Sequence, residues 1–264
     1  MPRITQLLLG LTASMAVTAC GLQEKSRTDD EVAAPVVRQA VPEETTVPTV
    51  DQPLERRDLL LAAMEAGSNH ALGLDDKAEQ QKLDGRTFIF RIRLCGGAAN
   101  VTQSFDEAER VLKIEVEPDL GLESPIVRQV SARAVAAEGF WVPHPYLLQH
   151  GCPRTSRPQA GTGPAQMAPG QKVGIAQFFG PDDIRADQRR SRPYSITETL
   201  AGEQAPEPVD LVLQGRLKRL VSGRVITCSD APDSDRPDCL ISATIDRVRL
   251  ETATGTSLGE WSRS

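Results

Sequence analysis

Phe88, Phe90, Ile92 and Leu94 alternate with Thr87, Ile89, Arg91 and Arg93. This period of two places one set of side chains on a single buried face of a strand. Arg110–Glu117 alternates likewise, with the polar Asp106–Glu109 as a turn before it. The two strands are expected to be antiparallel neighbours whose outward Arg and Glu sets pair across the sheet, each pair worth roughly 0.2–1 kcal/mol. Farther on, Lys172–Phe179, Tyr194–Leu200, Val209–Val221, Arg224–Cys228, Cys239–Glu251 and Ser257–Ser262 all read as strands. In the fifth of these, Ile241, Ala243 and Ile245 alternate strictly and the phase then shifts at Asp246-Arg247 to Val248 and Leu250, which predicts a β-bulge. Thr252–Thr256, with Gly255, predicts a hairpin turn before the closing strand.

Only the region before the first strand carries a helical period. Leu59, Leu60, Ala63, Met64 and Ala71 recur three and four residues apart between Asp58 and Gly73, which predicts an amphipathic helix over 57–73. A second short helix is expected over Asp75–Leu83. His70 falls on the first helix as a surface or capping residue. The expected fold is therefore mainly β, an antiparallel sandwich or barrel, with one or two short N-terminal helices.

Other stretches lack a clear period. Residues 125–138 read as a strand (Ile126, Val127, Val130) followed by an alanine-rich turn. Phe140-Trp141-Val-Pro143-His144-Pro145-Tyr146 is the densest aromatic cluster, and its two prolines keep it extended. Such a segment plugs the end of a β-core or forms a binding lip, so Phe140, Trp141, His144 and Tyr146 are the candidate ligand or partner contacts. Residues 153–170 are loop-like in composition and divide the domain or flank a functional surface. Residues 21–55 are rich in acidic residues, Thr and Pro, cannot bury enough apolar surface to offset ordering, and read as a tether.

The chain of 264 residues has a net charge of −6 and only 4% aromatic residues, so its core must rest on Val, Leu and Ile. An acidic chain with no basic face is not expected to bind nucleic acid. Of its five cysteines, Cys95, Cys152, Cys228 and Cys239 read as two disulfides of an exported domain. Four cysteines allow three pairings, of which Cys95–Cys152 with Cys228–Cys239 is favoured because the latter two are close in sequence. No Cys-x-x-Cys spacing exists, and His70, His144 and His150 are scattered, so no zinc site is expected.

The fifth cysteine ends a distinctive opening. Arg3 precedes an apolar run over Ile4–Val17, followed by small Thr18 and Ala19: a secretory signal peptide, broken by Gln6 and Gly10 and too short for a permanent membrane span. Its ending, Val17-Thr18-Ala19-Cys20, resembles the lipobox of bacterial lipoproteins. That resemblance covers residues 1–20 and implies cleavage after residue 19 and acylation of Cys20. Two or more acyl chains anchor stably. Gly21 in place of an acidic residue implies the outer membrane, with the domain in the periplasm. The expected organisation is signal peptide 1–19, lipidated tether 20–55 and disulfide-stapled β-domain 56–264. Cleavage removes one charged residue, Arg3, so −6 becomes −7.

Candidate chemistry is sparse. Asp233-x-Asp235 begins like a calcium loop, but Pro237 takes the next ligand position, Asp238 replaces the required Gly, and Thr244 stands in place of the bidentate Glu. The basic cluster Arg185, Arg189, Arg190 and Arg192 alternates with acids and reads as a solvated loop. No Ser-x-x-Lys, His-Glu-x-x-His or Gly-rich phosphate loop occurs, so no catalytic residue, cofactor or metal is expected. The sequence supports a lipid-anchored binding or structural module of the envelope, partnered by the membrane and an envelope protein. Its alternatives are a barrel carrying a small apolar ligand or lipid, and an enzyme with dispersed residues.

Overall fold

Strand β10, Asp238–Thr252, is the spine of the molecule. The computed structural model describes residues 52–95, 100–130, 133–152, 171–183, 192–201, 207–231, 234 and 236–262, all within the unit Pro48–Ser264. Along one edge of β10 run β8, Val209–Leu217, and then β9, Ile226–Ser229, both antiparallel to it. Along the other edge lie β6, Val173–Phe179, parallel to its first half, and β11, Ser257–Ser262, antiparallel to its second. The sheet continues through β8 to β2, Thr87–Arg93, and β1, Leu54–Glu55, and through β6 to β5, Ala136–Trp141. A second sheet has the order β3, Val101–Asp106, then β4, Val111–Val116, then β7, Tyr194–Thr199.

The fold is thus mainly β and sandwich-like, with open edges at β1 and β5 rather than a closed barrel. The larger sheet is mixed: β1–β2 and β6–β10 pair in parallel. The phase shift in β10 has a structural cause. Its register against β8 slips between Ile245 and Arg247, and the extra residue keeps Cys239, Ile241, Ala243 and Ile245 on the same buried face as Val248 and Leu250. Gly215 lies opposite the slip, where a Cβ would press into the Thr244 carbonyl. Gly215→Ala is expected to cost about 1–3 kcal/mol, seen as a lower urea midpoint; an unchanged midpoint would contradict this packing.

Two elements cover that buried face. One is α1, Arg56–Ala71, which contributes Leu59, Leu60, Ala63 and Ala66. The other is the three-stranded sheet, through Leu112, Ile114, Val116 and Tyr194. The short helix α2, Lys77–Gln81, follows α1. Its Gln80 side chain accepts a hydrogen bond from the Ile226 N–H at 2.9 Å. On the opposite face of the sheet, Ile126 and Val127 of α3, Pro125–Val130, pack with Leu120, Ala176 and Leu240.

Several expectations are corrected. Residues 125–138 are a helix and the start of a strand rather than a strand and a turn, because Ile126, Val127 and Val130 fall on one helical face against Leu240. The strands over 86–95 and 110–117 are not neighbours: β2 pairs with β8, and β4 pairs with β3 and β7 in the other sheet. The arginines of β2 find acids elsewhere. Arg91 Nη1 donates to Glu251 at 2.6 Å, and Arg93 donates to Asp210. Strand β3 had no counterpart among the expected strands, since Val101–Asp106 is largely exposed and lacks an apolar face. The turn from β3 to β4 works without glycine, because Arg110 itself adopts a positive φ of 57° and Asp106 Oδ1 accepts from the Ala108 and Glu109 N–H groups. Folded structure also begins before residue 56: Leu54 and Glu55 pair with Phe88 and Ile89. The rest of the tether up to residue 51, residues 1–20 and the loop 153–170 lie outside the described residues.

Candidate functional site

Between the end of β2 and the end of β5, which lie on opposite sides of β8, β10 and β6 in the larger sheet, there is a cleft of about 490 Å³. Ile92 and Leu94 of the β2 end and Leu211 of β8 form one wall. Val101 and Val116 of the smaller sheet face them, and Phe140–His144 closes the third side. The volume lies in the range of small-ligand sites, roughly 300–1,000 Å³, and such sites are mostly apolar with a few placed polar groups. The polar groups here are Asn100, Asp119, Arg93 and His144.

The third wall is held in place by a residue the sequence pattern did not flag. Arg56, at the start of α1, is 6% exposed. Its guanidinium donates to the carbonyls of Leu147 (3.1 Å), Arg91 (3.3 Å), Pro143 (3.3 Å) and His144 (3.4 Å). It also lies 5.4 Å from the centre of the Phe90 ring, within reach of a cation–π contact. One side chain thus ties α1, β2 and the 143–147 segment together. Burial lowers its pKa to about 10, which still leaves it charged at neutral pH. The nearest hint in the sequence was an arginine beside the expected helix start, where a surface charge is the usual reading.

The four aromatic-segment candidates separate in the structure. Phe140 is a core residue, 1% exposed, with its ring 6.0 Å from that of Tyr194. Trp141 is half-buried and packs with the α3 cluster on the other face. His144 is held at a positive φ of 50° and lines the cleft. Tyr146 is 53% exposed, and its hydroxyl lies 3.2 Å from His144 Nδ1, with the rings edge to face. Plug and lip therefore divide along the segment: Phe140 plugs, whereas His144 and Tyr146 face outward. A strained non-glycine conformation at such a rim is a feature that functional sites favour.

Asp119 completes the site. Its carboxylate accepts from the Trp141 N–H at 2.9 Å, and the Leu120 N–H donates to the Gly139 carbonyl at 3.2 Å. These bonds lash residues 119–120 to β5 beyond its last partner strand. The Asp119 side chain keeps contact with solvent, yet the surrounding walls desolvate it and raise its pKa, against the lowering effect of the Trp141 bond. Near the cleft mouth Cys95 is joined to Cys152, with Cα atoms 5.6 Å apart.

The lining can donate and accept hydrogen bonds, but it offers little else. Among the described residues it holds no serine, threonine or lysine, and its cysteine is in a disulfide. Gly255-Thr256-Ser257-Leu258-Gly259 has the spacing of a nucleophile elbow and escaped the motif reading of the sequence. Ser257, however, opens the edge strand β11 after a hairpin turn and is exposed, without the strand–turn–helix context that such a nucleophile needs.

The other histidines lie elsewhere. His70 Nε2 is 3.1 Å from Asp230, and His150 Nε2 is 3.8 Å from buried Asp210. Among the described residues, no group of three or more His, Cys, Asp or Glu side chains could hold a metal ion. Asp233, Asp235, Arg185, Arg189 and Arg190 lie outside those residues. Cys228 and Cys239 face each other across the β9–β10 pair and are bonded. No family model, curated protein or solved structure matches the chain.

Proposed function

We propose that the protein is a lipid-anchored binding module of the cell envelope that takes a small apolar ligand in the cleft between β2 and β5. The anchor is acylated Cys20, with the domain held in the periplasm at the outer membrane. The support for the address is the Val17-Thr18-Ala19-Cys20 sequence. The two disulfides fit an oxidising, extracytoplasmic compartment. Among the described residues no helix is long and apolar enough to cross a membrane.

The observation that carries the binding role is the cleft itself: apolar walls, a strained His144 at its rim and, at its edge, the partly desolvated Asp119 carboxylate held by the Trp141 N–H. A ligand that also covers Asp119 desolvates that carboxyl further and so takes up a proton on binding.

The test is a fluorescence titration of the full chain with the neutral dye N-phenyl-1-naphthylamine. Saturable brightening is expected, with a Kd on the order of micromolar. Val101→Phe, which fills one wall, is expected to weaken it by roughly tenfold or more, about 1.4 kcal/mol. Affinity is expected to fall as pH rises through the raised range of Asp119, and Asp119→Asn is expected to flatten that profile. Dye that fails to saturate, or that binds Val101→Phe as well as the parent chain, excludes this role.

A further inference from the structure

A second concavity lies on the other face of the larger sheet, between the end of α3 and the 218–225 excursion that interrupts β8 and β9. It measures about 570 Å³. Ser242 and Thr227 of the sheet line it together with Val130, Phe178, Leu220 and Val221. Val221 is 94% exposed and, with Leu220, gives the concavity an apolar rim. The charged residues of this lining are Arg133, Lys218 and Arg219, and no acidic residue joins them among the described residues.

The balance of charge is local, because the chain as a whole carries −6. Arg219 is partly answered by Asp84, at 3.5 Å from its side chain. Among the described residues, Arg133 and Lys218 have no ion-pair partner.

We infer that this groove binds a single-chain fatty acid as its anion. The acyl chain covers Val130, Phe178, Leu220 and Val221, and the carboxylate is held by Arg133 and Lys218. Cations beside an apolar trough complement this ligand on both counts, whereas a neutral chain leaves the charges unanswered and a cationic one is repelled. The site is separate from the β2–β5 cleft, which has different walls and a carboxylate of its own.

The experiment is isothermal titration of the full chain with laurate, dodecanol and dodecyltrimethylammonium, each below its self-association concentration. Laurate is expected to bind at least tenfold tighter than dodecanol, with no measurable binding of the cation. The double variant Arg133→Glu/Lys218→Glu changes two exposed side chains and is expected to weaken laurate by tenfold or more. Val101→Phe, in the other cleft, is expected to leave laurate binding unchanged while it lowers dye binding. Equal affinity for laurate and dodecanol overturns the inference, as does full laurate binding by the double variant or loss of laurate in Val101→Phe.

Discussion

Arg56→Met is expected to destabilise the domain by roughly 1–3 kcal/mol or more, the cost of leaving buried hydrogen-bond acceptors without a donor. Methionine preserves much of the volume over Phe90 but removes the side-chain donor to the carbonyls of Arg91, Pro143 and Leu147, while the His144 carbonyl keeps the Leu147 N–H. Each unsatisfied buried acceptor carries a penalty of roughly 1–3 kcal/mol, moderated where water reaches the 143–147 segment. Against a typical total of about 5–15 kcal/mol, the change is readable as a large drop in the urea midpoint. Arg56→Lys is expected to recover only part of the loss, because an ammonium cannot span several carbonyls as a planar fork does. A midpoint within about 0.5 kcal/mol of the parent for Arg56→Met means that the guanidinium is not the tie between α1 and the cleft wall.

The second large effect is expected from Cys95→Ser/Cys152→Ser. The bond closes a separation of 57 residues, for which the chain-entropy model gives about 4 kcal/mol of stabilisation. The same treatment of Cys228–Cys239, separated by 11 residues, gives about 3 kcal/mol. The two bonds differ more in function than in size. Cys95 lines the cleft, so its loss is expected to weaken dye binding even where the domain remains folded. Cys228→Ser/Cys239→Ser alters a hairpin of the spine and is expected to spare the dye site. Denaturant midpoints combined with dye titrations on both double variants check this, and equal effects on binding from the two would contradict it.

Much of the fold was legible in the alternation of side chains, because most strands bury one face and expose the other. The bulge in β10 was readable for the same reason, since a register slip must appear as a phase error in the apolar positions. What was not legible depends on partners distant in sequence. Arg86–Cys95 and Arg110–Glu117 are alike as patterns, yet one pairs with β8 and the other with β3 and β7, and alternation alone cannot choose a neighbour. Val101–Asp106 went unrecognised because an edge strand with little buried surface leaves no periodic mark. Residues 125–130 were misread because three aliphatic residues in so short a run fit a strand as well as a single helical turn.

The candidate site was half legible. Its aromatic segment stood out by composition, but the roles within that segment follow from contacts: Phe140 against Tyr194, Trp141 against the α3 cluster and His144 at the rim. Asp119 and Arg56 matter through burial and hydrogen bonds to backbone groups 22 to 91 residues away. No local sequence signal reports such contacts.

The proposed role has two halves, an acyl anchor at Cys20 and a small apolar ligand in the β2–β5 cleft. Native mass spectrometry of the full-length gene product, extracted from membranes in mild detergent, reads both halves of that claim together. The predicted result is a polypeptide starting at Cys20 with the added mass of its acyl groups, together with a small non-covalent adduct that is lost in Val101→Phe. A chain that retains Met1 without lipid, or a lipidated chain whose adducts are the same in parent and Val101→Phe, would contradict it.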